Sequence, residues 1–72
     1  MNFWYVLVEM YDTGRVKAAV IKNKKAASRP PEFYKQEFGR EIFGEWFDSL
    51  REAEAVVAEA RALNVPLAER AA

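Results

Sequence analysis

The chain has no cysteine and no histidine among its 72 residues. Without cysteine there is no disulfide and no thiolate metal site. Without histidine the commonest general base is missing, and the thiol nucleophile is missing with it. A metal would need an all-carboxylate cage, and no loop has the spacing for one. Glycine is scarce, and neither GxxxxGK[ST] nor GxGxxG occurs, so a glycine-rich phosphate cradle is unsupported. No apolar run approaches the roughly 20 residues needed to span a bilayer. Residues 1–11 are apolar but hold Glu9 and lack a basic start or a small-residue cleavage site, so they read as a strand rather than a signal peptide. A cytoplasmic protein is the expectation, with no cofactor and no membrane partner.

Aromatic residues are abundant. Two Trp, three Tyr and five Phe are present. Each such ring can bury about 150–250 Å². Disorder is therefore excluded as a description of the whole chain. A chain this short buries only about 60% of its unfolded surface, and its core alone supplies about 3–5 kcal/mol. With no disulfide or metal, a dense aromatic core or self-association must supply the rest. Net charge is zero, but residues 1–40 hold eight Lys/Arg against four Asp/Glu, and residues 41–72 hold three against seven.

Local signals predict strand-strand-strand-helix order. Residues 2–11, NFWYVLVEMY, are β-branched and aromatic almost throughout. Asp12 and Thr13 suit the centre of a type I turn, and Gly14 suits the left-handed position after it. Residues 15–22 return as a second strand. The stretch 23–39 begins basic, and Pro30-Pro31 bars a regular helix or central strand there. Residues 32–38 fit a helical turn with Phe33, Tyr34 and Phe38 inward. Residues 40–47 form a third strand, with Gly44 as a bulge or a point of close approach. Ser49 and Glu52 then make a capping box. Leu50, Ala53, Val56, Val57, Ala60 and Leu63 follow as one apolar helical stripe. Asn64 caps that helix and Pro66 stops it. The expected fold is α+β: a three-stranded antiparallel sheet packed against one C-terminal amphipathic helix, over residues 1–64, with 65–72 as a frayed tail.

Neither face of such a sheet is polar. The first strand alternates Trp4, Val6, Val8 and Met10 with Phe3, Tyr5, Leu7, Glu9 and Tyr11. One helix covers one face only, so the other must meet the 30–38 segment or a partner. The expected function is a non-catalytic protein-interaction module, self-associating through a sheet face, with Phe3, Tyr5, Leu7, Phe43 and Phe47 as contacts. The alternative is a nucleic-acid-binding domain using Arg15, Lys17, Lys22, Lys24, Lys25 and Arg29. Catalysis finds no support: Ser28 has no base beside it, Ser49 is a cap, and Glu41 and Glu45 have no evident pocket.

The segment Trp46-Phe47-Asp48-Ser49-Leu50-Arg51-Glu52-Ala53 resembles the strand-to-helix junction of plant AP2-type DNA-binding domains and of phage integrase arm-binding domains. The resemblance covers the last third of the chain and rests on a helix cap and helix core. It implies the β-β-β-α order and DNA binding through the sheet. Those families read DNA with Arg and Trp on the sheet, where the first strand here carries Glu9 and apolar residues.

Overall fold

A computed structural model describes residues 1–63. The chain forms β1 (Asn2–Tyr11), β2 (Val16–Lys25), β3 (Phe33–Glu37), β4 (Arg40–Phe47) and α1 (Leu50–Ala62). The expected α+β class holds, with one helix packed on an antiparallel sheet. The sheet has four strands rather than three, in the order β2-β1-β4-β3. The expected cap at Asn64, the stop at Pro66 and the tail 65–72 lie outside the described residues.

The extra strand is β3, where a helical turn had been expected. The aromatic pair Phe33-Tyr34 suits a pleated surface. Glu37 pairs with Arg40, leaving Phe38-Gly39 as a two-residue turn. Gly39 has φ +84, which a side chain there would resist. Phe38 sits at the tip, fully exposed instead of facing the core. Phe33–Glu37 therefore extends the sheet and does not fold across its second face. β2 also runs three residues further than expected, drawing Lys24 and Lys25 into the ladder.

The β1–β2 turn follows its sequence signal. Gly14 has φ 91, its N–H donates to the Tyr11 carbonyl, and the Tyr11 N–H donates to the Arg15 carbonyl. This turn meets the β3–β4 turn, since the Asp12 N–H donates to the Gly39 carbonyl at 3.0 Å.

The helix packs over β1 and β2, reaches β4 at its edge and does not touch β3. Ala53, fully buried, and Val57 lie against Val6 and Ala18, with Trp4, Val8, Val20 and Phe47 around them. Small residues on both sides, Ala53 and Ala18, let helix and sheet approach closely. At the far end of the helix, Arg61 Nε donates to the Ala18 carbonyl at 3.0 Å, covering part of the β2 edge. Ser49 caps the start: its Oγ accepts from the Glu52 N–H at 3.3 Å. Ser49→Ala should cost about 1 kcal/mol, read as a lower urea midpoint. An unchanged midpoint would mean that the cap contributes nothing.

Candidate functional site: the open face of the sheet

The registers fix which residues share the face turned away from the helix. Because paired residues lie on one side of a sheet, the open face is a stack of rows running across the strands. At one end, Glu37, Arg40 and Tyr11 form a row. Next come Lys35, Ile42, Glu9 and Lys17. The middle row is Phe33, Gly44, Leu7 and Ala19. Beyond it stand Trp46, Tyr5 and Lys22, and then Phe3 and Lys24.

The first two rows are tied by charge. The Arg40 guanidinium sits 3.5 Å from Glu9 and 3.1 Å from Glu37, and the Tyr11 hydroxyl donates to Glu9 at 2.7 Å. Hydrogen bonding with Tyr11, and then the Glu37 and Glu9 carboxylates, hold Arg40 above its ordinary pKa. These contacts knit β1, β4 and β3 together and use up both carboxylates on the face.

Four other cations, Lys17, Lys22, Lys24 and Lys35, are exposed. Among the described residues none of them has a carboxylate within 4 Å. Lys22 lies over the Tyr5 ring at 5.5 Å and Lys17 over the Tyr11 ring at 5.7 Å, contacts that aim the ammonium groups without neutralising them.

The aromatic side chains pack mainly on one another. Tyr5 and Trp46 have ring centroids 4.8 Å apart. The Tyr5 phenol lies across Gly44, in space that any side chain at 44 would occupy, so Gly44 is a point of close approach. Phe3 and Trp46 are buried, at 2% and 8% exposure. The connection from β2 to β3 must pass this end of the sheet, and Ala26 and Pro30 along it are half-buried. The middle row stays more open. Phe33 is 45% exposed, and a depression of about 190 Å³ lies beside Leu7, Ala19 and Ile21 at its other end. Ile21 is the extra residue at the irregularity where the β1–β2 register shifts.

The face turned toward the helix carries the opposite charge. Glu41 pairs with Met10 and Glu45 with Val6, which puts both carboxylates on that side, and the helix exposes Glu52, Glu54 and Glu59. Tyr34 also lies there, 5.0 Å from Phe43, and its hydroxyl donates to Glu41 at 3.4 Å. Desolvation, and then Glu41, hold the Tyr34 hydroxyl above its ordinary pKa.

The five residues expected to form a contact surface do not share a face. Tyr5 and Leu7 lie on the open side with Phe3, which is too buried to offer much surface. Phe43 and Phe47 lie on the helix side, Phe47 against the core. Of the six expected cations, Lys17, Lys22 and Lys24 come together on the open face. Lys25 pairs with Asn2 and points to the other side, Arg15 sits beside the turn, and Arg29 lies in the β2–β3 connection. Lys35 and Phe33, outside both expected sets, also lie on the open face. Both belong to β3, and the signal that finds them is the Pro-Pro, aromatic pair and Gly39 sequence that defines that strand. In comparisons with known protein families, curated proteins and solved structures, nothing matches.

Proposed function

We propose that the protein is a non-catalytic binding domain whose open sheet face takes a nucleic acid. The reading rests on one observation above the others. Lys17, Lys22, Lys24 and Lys35 surround an apolar row with no carboxylate partner among the described residues, while Glu41 and Glu45 point the other way. Unpaired cations on one side of a domain of zero net charge favour an anionic partner there, with phosphates as the chemical match. The same observation weighs against self-association through this face. A two-fold dimer would bring together two copies of a face on which the cations outnumber Glu9 and Glu37. A cytoplasmic location agrees with this reading.

A protein partner is the second reading, favoured by the exposed aromatics Tyr34 and Phe38 on the β3–β4 hairpin. Binding of a labelled oligonucleotide separates the two. Reversing Lys22 and Lys24 to Glu should remove it, and reversing Lys25, which faces the other side, should not. Full binding by the double variant would sink the nucleic-acid reading.

A further inference from the structure

We infer that this face takes a single strand lying across the sheet, in preference to a duplex. The inference rests on the nucleic-acid reading and deepens it. A duplex turns its phosphates and polar base edges outward and hides the faces of its bases. It would therefore meet the lysines but leave the middle row unmatched. A single strand is amphiphilic: charged along its backbone and apolar on each base face.

The middle row has the complementary pattern. Phe33 stands at one edge and Leu7 and Ala19 toward the other, with the Tyr5 phenol filling the gap over Gly44. Lys35 and Lys17 end the row on one side of it, where Glu9 is paired with Arg40, and Lys22 ends the row on the other. A strand laid along this line would set its bases on apolar surface and its phosphates near ammonium groups on either flank. Four strands spaced about 4.8 Å apart give a track of about 14 Å, room for on the order of three nucleotides.

Phe33 is the ring best placed to stack. Lys22 already lies over Tyr5, and Trp46 is buried, whereas Phe33 is 45% exposed on an edge strand. Its exposure also makes it safe to truncate without unfolding the domain.

The test is fluorescence anisotropy at one salt concentration with three probes: a labelled 15-nucleotide mixed-sequence DNA strand, the same sequence as a duplex, and inorganic polyphosphate as a competitor. The single strand should bind at least about 10-fold more tightly than the duplex, and polyphosphate should compete poorly. Phe33→Ala should weaken the single strand by about 5- to 100-fold and change duplex binding little. Equal or tighter duplex binding, or polyphosphate competing as well as the strand, would overturn the single-strand inference and leave an anion-binding face. A Phe33→Ala chain that binds the strand as well as the wild type would overturn it too. No binding of any probe would overturn the nucleic-acid reading itself.

Discussion

The Phe3→Ala chain is expected to be largely unfolded at 25 °C. Phe3 is 2% exposed although it lies on the face turned away from α1. Truncating a buried Phe costs about 3–5 kcal/mol, through lost transfer energy and the cavity left behind. A domain of this size with no disulfide has about that much to lose. Phe38 is the internal control. It is the same residue type, but fully exposed at a hairpin tip. Phe38→Ala should change stability by less than about 0.5 kcal/mol. Circular dichroism and urea titration of the two variants decide the matter. A folded Phe3→Ala chain with a near-normal midpoint would mean that the end of the sheet is not closed as described.

The Lys22→Glu, Lys24→Glu double variant should keep its fold and lose binding of a single strand by about 100-fold or more. Both side chains are exposed and, among the described residues, neither makes an ion pair, so folding loses little. Binding loses two attractions and gains two repulsions, each on the order of 1 kcal/mol near water. Lys25→Glu changes the adjacent residue on the same strand, but its side chain points toward the helix side. It should cost less than about 5-fold, from the long-range field alone. Comparable losses from Lys24→Glu and Lys25→Glu would show that net charge matters and the face does not.

Most of the fold is legible where local chemistry and tertiary context agree. β1 announces itself by six β-branched or aromatic side chains in ten residues. Asp12-Thr13-Gly14 specifies its turn, and Ser49 specifies the helix start. β3 is hidden because its residues serve two patterns. Phe33, Tyr34 and Phe38 fit a helical stripe as well as a strand followed by a turn, and an apolar Phe38 at a hairpin tip defies the usual rule for loops. Missing that strand hides the site in turn. Lys35 and Phe33 have no place on the face until β3 pairs with β4. The alternation of β1 was readable, and so was that of β4. Which alternate of β4 lies beside Tyr5 depends on the β1–β4 register, and that comes from long-range pairing rather than from local sequence. The expected contact set therefore joined Phe43 and Phe47 to residues on the other side of the sheet. The lysines of β2 are legible in the sequence, but the same kind of long-range register separates Lys24 from Lys25.

The central claim is that the open face is a cationic surface made for a nucleic acid strand, and its most direct test is a salt series. The affinity of a labelled 15-nucleotide strand should be measured by anisotropy between 50 and 200 mM salt. Four phosphate contacts, from Lys17, Lys22, Lys24 and Lys35, predict a log–log slope of about −3. No binding at the lowest salt, or an affinity that does not change with salt, would contradict the account.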